Sequence, residues 1–319
     1  MSPKRHRGSR GQHRSKKVST LPEQAQRWIQ ARANRGQTKA SGKPLRSDRT
    51  VNRYIGDLAR AAQWMAQQFG ITQLKDITQA QAQAYIDLRC QQSIRAATLQ
   101  GYGMALKTLP QVKQLSLPSK RADPNSKPKS TRAYTLAQIQ KIQSCLPLLA
   151  QLSVQIILES GCRAQDLASI RLASEAPLIR AQYAKLRPER FTGREDWITV
   201  KFIGKGGHEY LSTLSPDTIK QLQQHRLPHP IAYRDRGQDN AVCQQYYDLP
   251  AGNYLSKLWT AAAKHMLDGS HGIHGVRHTY AQQRMAQLQD AGMTWQLAKT
   301  CVSQTMGHYR AKEVDTYLR

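Results

Sequence analysis

Apolar residues recur at helical spacing through most of the chain. Val51, Tyr54, Ile55, Leu58, Ala62 and Met65 fall at i, i+3, i+4, i+7, i+11 and i+14, a single stripe of a 3.6-residue period. Thr78 followed by Gln81 is a capping box, and it opens a helix through Tyr85, Ile86 and Leu88. Residues 96–109 add Leu99, Tyr102, Leu106 and Leu109. Together with Gln24–Ala33 these segments predict a compact bundle of about four helices with basic residues on its outer face. Residues 118–132 then break the pattern with three prolines, five basic residues and almost no apolar ones, as an extended linker does. Beyond it Thr135 and Gln138 form a second capping box, and Leu148–Leu158 reads as an apolar helix. At Asp196–Leu214 the period changes. Ile198, Val200 and Phe202 alternate, Gly204-Lys205-Gly206-Gly207 turns the chain, and Tyr210 and Leu211 return, a β-hairpin with a lysine at its tip. Helical patterns resume over Asn253–Met266, His274–Gln289 and Thr294–Thr305, and no internal repeat is visible.

Charge adds a partner to this picture. The 319 residues carry 48 Lys+Arg against 21 Asp+Glu, a formal net charge of +27. With 39% hydrophobic residues the chain folds, and its length suits two domains. A protein this basic repels itself unless it meets a polyanion, and nucleic acid is the first candidate. The excess is uneven: residues 1–132 hold 26 Lys+Arg and 6 Asp+Glu, residues 133–319 hold 22 and 15. Residues 1–20 read as a basic arm, disordered when free, that either solubilises the chain or settles on phosphates. No run of 18 apolar residues exists, which excludes a transmembrane helix, and no apolar stretch follows the basic start as a secretory signal requires. Cys90, Cys145, Cys162, Cys243 and Cys301 are scattered without a CxxC pair, so a zinc ribbon is excluded and all five read as reduced packing residues. These features predict a cytoplasmic protein associated with the nucleoid.

The second half also carries polar residues in unusual company. Arg163 stands in Ser160-Gly-Cys-Arg-Ala-Gln-Asp-Leu, directly after an apolar helix. His274-Gly-Val-Arg277-His278-Thr279 puts His274 and Arg277 one turn apart on one helix face. Met306-Gly-His308 precedes Tyr317 by nine residues. His274 and His278, at i and i+4, have the spacing of metal ligands, but no glutamate lies between them and no third ligand is evident. His278 reads as a buried structural histidine and Lys201 as the second choice for a hairpin lysine. Arg171, Arg190 and Arg194 read as phosphate contacts or solvated charge, and Trp197, Trp259 and Trp295 as core.

In this set the sequence resembles the tyrosine recombinases, the phage integrase family. The family's motifs stand here as Gly161-x-Arg163-x-x-Asp166-Leu167, Gly204-Lys205-Gly206, His274-x-x-Arg277-His278-Thr279, Met306-Gly307-His308 and Tyr317, in order and with the final spacing kept. The motifs span residues 135–319; over 21–117 the resemblance is one of architecture alone. It implies a mainly α protein, with an N-terminal helical core-binding bundle (21–117), the 118–132 linker, and an α-rich catalytic domain (133–319) holding a small antiparallel β-hairpin or sheet. It further implies a site-specific recombinase that needs no cofactor or metal. Four protomers on two double-stranded DNA sites would clamp the duplex, aided by accessory DNA-bending proteins, and exchange strands through a Holliday junction to integrate, excise or resolve mobile DNA.

The chemistry fits the residue types. Tyr317 suits the nucleophile that stores the bond energy as a 3′-phosphotyrosyl ester. Arg163 and Arg277 suit the non-bridging oxygens of the pentacoordinate phosphorus, because guanidinium forks donate to both. Lys205 suits the acid on the 5′ oxygen, His274 the group that takes the tyrosine proton or shares a phosphate oxygen, and His308 a donor to a non-bridging oxygen. Asp166, where relatives have glutamate, would orient the arginines. Gly275 replaces a common acidic residue, Met306 a leucine, and the long Arg163–Lys205 interval predicts an insertion within Ala173–Asp196. With Leu318 and Arg319 alone following Tyr317, the helix by which many relatives couple subunits is expected to be absent, and coupling to fall to Thr294–Thr305. Two other readings stay open: a type IB topoisomerase, which uses similar residues without site preference, and a DNA-binding or architectural protein with a vestigial site.

Overall fold

In the computed structural model of the protein, residues 19–34, 45, 47–119, 131–175, 186–205, 207–235 and 241–319 are described. Most of the basic arm, most of the linker and residues 176–185 of the expected insertion lie outside the described residues. The chain divides into two compact units, Met1–Ser126 and Lys127–Arg319.

The first unit is a helical bundle: α1 (Leu21–Asn34), α2 (Asp48–Phe69), α3 (Gln79–Gln91) and α4 (Ala96–Leu106). The α2 stripe turns inward, with Tyr54, Leu58, Ala62 and Met65 buried and Val51 and Ile55 partly buried against the same core. Ser47 caps α2 by accepting the Thr50 amide, and Gly70 ends it at φ 67°, a left-handed conformation that glycine adopts without strain. The Thr78–Gln81 capping box on α3 is formed in both directions. Leu109 is buried in the core as expected but lies outside the helix, because α4 stops at Leu106.

The second unit is again mainly helical: α5 (Leu136–Gln143), α6 (Leu148–Ser160), α7 (Pro216–Gln224), α8 (Gly252–Leu267), α9 (His274–Asp290), α10 (Trp295–Thr305) and the short α11 (Ala311–Val314). A three-stranded antiparallel sheet, β1 (Arg171–Leu172), β2 (Ile198–Gly204) and β3 (His208–Leu214), packs with them in that order. The predicted hairpin is its β2–β3 pair, in register from Ile198↔Leu214 to Gly204↔His208. The capping box of Thr135 and Gln138 starts α5. Trp259 of α8 is fully buried in the core formed with α5, α6 and the sheet.

Several expectations need correction. A second antiparallel pair, β4 (Arg226–Asp235) with β5 (Ala241–Tyr247), and α7 before it occupy a stretch with no predicted element. Pro228 and Pro230 argue against a strand, but the register shifts between Arg226 and Ile231, and that irregularity accommodates residues lacking an amide hydrogen. Cys162, Cys243 and Cys301 are buried as packing residues, whereas Cys90 and Cys145 are exposed. Trp295, the first residue of α10, is half exposed, and Trp197 is half-buried under the Arg194 guanidinium rather than in the core. Among the described residues no helix is long and apolar enough to cross a membrane.

Candidate active site

Arg163 owes its position to the end of α6. Gly161 closes that helix at φ 67°, and a Cβ there would lie 2.2 Å from the Tyr280 ring, so the turn demands glycine twice over. The following 3-10 turn, Asp166–Ser169, folds the Asp166 carboxylate back. Its Oδ2 accepts the Arg163 amide at 3.2 Å, the Arg163 guanidinium at 3.5 Å and the Tyr210 hydroxyl at 2.7 Å. Burial pushes the Asp166 carboxyl above its ordinary pKa against the pull of Arg163 and Tyr210, yet all its partners donate, the pattern a carboxylate requires.

Arg277 lies in the first turn of α9 and is wholly buried. It donates to the carbonyl of Gly161, to the carbonyl of Met306 at 2.8 Å, to His308 Nε2 at 2.8 Å and, from Nε, to the Tyr317 hydroxyl at 3.3 Å. His308 follows Gly307, whose φ of 69° and whose approach to Tyr210 (a Cβ would lie 2.6 Å from the ring) exclude a larger residue. Three groups meet its Nε2: Arg277, the Arg163 guanidinium at 3.4 Å, and the Tyr317 hydroxyl at 3.0 Å. Guanidinium only donates, so this network assigns Nε2 as the unprotonated nitrogen and puts the ring proton on Nδ1. Burial, reinforced by the charges of Arg277 and Arg163, pushes the His308 pKa down to about 3.

Tyr317 follows α11 and is 5% exposed. Its ring packs between His278 (centroids 4.8 Å apart) and His274 (5.6 Å), and Gln282 holds its carbonyl at 3.0 Å. Lys299 of α10 reaches Asp315 at 2.6 Å and ties this segment down. His274 is pushed down to about 3, chiefly by burial and then by Arg277, and His278 to about 4, chiefly by burial and then by Arg132. The tyrosine hydroxyl bonds to His308 at 3.0 Å, while His274 meets the tyrosine through its ring. Gly275 is explained by packing, since a Cβ there would lie 2.5 Å from both the Arg132 carbonyl and the Tyr134 ring.

Arg163, Arg277, His308 and Tyr317 thus form one hydrogen-bonded cluster, with Asp166 behind it and His274 beside it. Lys205 stands off at the exposed hairpin tip, but the strand end carrying it is near: a Cβ on Gly204 would lie 3.6 Å from Arg163 Nη1. Lys201 is buried and paired with Glu209 at 3.0 Å, which fixes it inside the sheet. His278 is buried, as read. Arg194 is neither solvated nor open to phosphate; it is buried and donates to the Glu159 carbonyl at 2.6 Å and Thr213 at 3.3 Å. Arg171 donates to the Tyr246 hydroxyl at 2.9 Å, and half-buried Arg190 to the Arg187 carbonyl at 2.6 Å. Tyr210 was missed: strand alternation marks it as inward-facing, but nothing in the sequence names Asp166 as its partner. Among the described residues no group of three or more His, Cys, Asp or Glu side chains is arranged to hold a metal ion.

Solved structures share this architecture. A lambda integrase dimer bound to a COC′ core site aligns over 94% of this chain and 77% of its own, at 14% identity and a TM-score of 0.53. XerH site-specific recombinase bound to palindromic difH substrate aligns over 93% and 91%, at 14% identity and 0.53. The fold is that of the tyrosine recombinases. A lambda integrase tetramer bound to a Holliday junction aligns similarly, over 95% and 78% at 13% identity and 0.54. No protein-family model and no curated protein matches the sequence. The tyrosine-recombinase fold is therefore carried by a sequence far from those of these structural neighbours.

Proposed function

We propose that this chain is a tyrosine-class site-specific DNA recombinase, with Tyr317 as nucleophile, Arg163, Arg277 and His308 around the scissile phosphate, and Lys205 as the proton donor. One observation carries the reading: a single chain gathers a phenol and two guanidiniums within hydrogen-bond reach of one neutral imidazole. The step balances with these groups. The Tyr317 oxygen attacks phosphorus while its proton passes to His308 Nε2; the P–O5′ bond breaks, and the Lys205 ammonium protonates the departing oxygen. The guanidiniums that now donate to His308 turn to the non-bridging oxygens, where charge rises in the transition state. Charge is conserved, and a 5′-hydroxyl reverses the step on the same or another strand. His274 borders the nucleophile, and Asp166 orients Arg163.

The partner in this reading is double-stranded DNA, gripped by the basic first half through counterion release. A homotetramer on two sites, the Holliday intermediate and a role in moving or resolving mobile DNA belong to the same proposal. The test uses nicked suicide duplexes tiled from the DNA adjoining the chain's own gene. The wild-type protein forms a covalent adduct on one of them, and Tyr317→Phe forms none. No adduct on any duplex sinks the reading. Relaxation of any supercoiled plasmid without synapsis indicates a type IB topoisomerase instead.

A further inference from the structure

We propose that Tyr309 is a positioning residue for the leaving-group acid, latching the β2–β3 hairpin so that the strand end carrying Lys205 stays beside Arg163. The inference rests on the recombinase reading for the role of Lys205, and on geometry for the latch. Tyr309 immediately follows His308, and its hydroxyl donates to the Glu209 backbone carbonyl at 2.8 Å. Glu209 pairs with Ile203, one register step inside the hairpin mouth at Gly204↔His208. The bond therefore joins the segment carrying His308 to β3, the strand that leaves the lysine turn.

Two further observations make this a built contact. Tyr309 has φ 55°, the left-handed region that a bulky side chain enters only when its surroundings over-determine it. That backbone follows Gly307, also left-handed at φ 69° and seated on the Tyr210 ring, which itself belongs to β3. The ring of Tyr210 and the hydroxyl of Tyr309 thus hold neighbouring residues of one strand. The tip's own turn is closed by the Gly207 amide, which meets the Gly204 carbonyl at 3.1 Å; the latch adds a tie to a segment outside the hairpin. Lys205 acts on a proton and must be in place when the P–O5′ bond breaks, so a looser tip slows this step and spares the others.

Tyr309→Phe removes one hydroxyl and keeps the ring. In hydrogen–deuterium exchange on the full chain without DNA, amides of residues 204–209 exchange several-fold faster in the variant, while those of α6 keep wild-type rates. Unchanged exchange at 204–209 overturns the latch. The second arm compares suicide duplexes with oxygen or with sulfur at the 5′ bridging position, because a thiolate leaves without a proton. Tyr309→Phe slows adduct formation roughly tenfold on the oxygen substrate, part of what a positioned acid supplies, and comes within about twofold of wild type on the sulfur substrate. Lys205→Ala shows the same rescue from a deeper loss. Equal slowing on both substrates overturns the positioning role. No adduct from the wild-type protein on either substrate sinks the recombinase reading and the role of Lys205 with it, and the exchange experiment still decides the latch.

Discussion

In the first unit the charged side chains lie outside an apolar core; in the second they are drawn in. Among the described residues of the first unit, Asp57 and Thr108 are the buried polar side chains, and Asp57 is flanked by exposed Arg53 and Arg60. The second unit buries Glu159, Asp166, Arg194, Lys201, Arg277 and Arg284. Desolvating a charge is costly unless it is hydrogen-bonded, and each of these side chains has hydrogen-bond partners. On the proposed function, the first unit spends its basic residues on long-range attraction to a polyanion, and the second restrains a few in fixed directions for one phosphate. On that proposal one chain separates gripping from cutting.

The largest test of that division is Leu58→Ala, which removes a fully buried side chain from the first unit and should cost about 3 kcal/mol of its stability. Calorimetry reads the loss. DNA affinity falls with it, while adduct yield at saturating DNA, well below the melting temperature, stays at the wild-type level. A matching fall in that yield breaks the separation.

A smaller effect should distinguish the units by pH. His274 and His308 are depressed to about 3 and His278 to about 4. Above pH 6.5 all three are neutral whether the chain is folded or not. Below it the unfolded chain binds protons that the folded one refuses, so the second unit loses stability progressively as the pH falls from 6.5 towards 4. No histidine lies among the described residues of the first unit. Hydrogen exchange at pH 7 and pH 5, corrected for intrinsic rates, should show protection falling in the second unit and holding in the first. The smallest effect is Thr78→Ala, which breaks the capping box of α3 and should cost about 1 kcal/mol, read as a lowered first-unit transition in calorimetry with the second unchanged.

The features legible in the sequence were local ones. Val51 through Met65, Thr78 with Gln81, and Thr135 with Gln138 each declare a helix within a few residues, and the helices form there. The β2–β3 hairpin declares itself by alternation and glycine. The β4–β5 pair did not, because its prolines mimic a loop and its pairing tolerates them only through a register shift. The motif residues were visible by type and order, but their partners were not. Tyr210 meets Asp166 across 44 positions, and Arg277 is held by two backbone carbonyls, which no letter of the sequence distinguishes from any others. Trp295 was misjudged for the same reason: hydrophobicity says that a side chain prefers burial, not that a first helical residue will find cover.

Arg277 spends part of its guanidinium on the carbonyls of Gly161 and Met306, which belong to the two loops that present Arg163 and His308. It is a staple for those loops as much as a cation for a phosphate. Tyr317, by contrast, can lose its hydroxyl and still fill its place with a ring. On the proposed function, a descendant that no longer cut DNA would therefore discard the tyrosine long before the arginine. Among distant kin, the same proposal reads a surviving Arg277 as a sign of an intact fold, and only a surviving Tyr317 as a sign of a working enzyme.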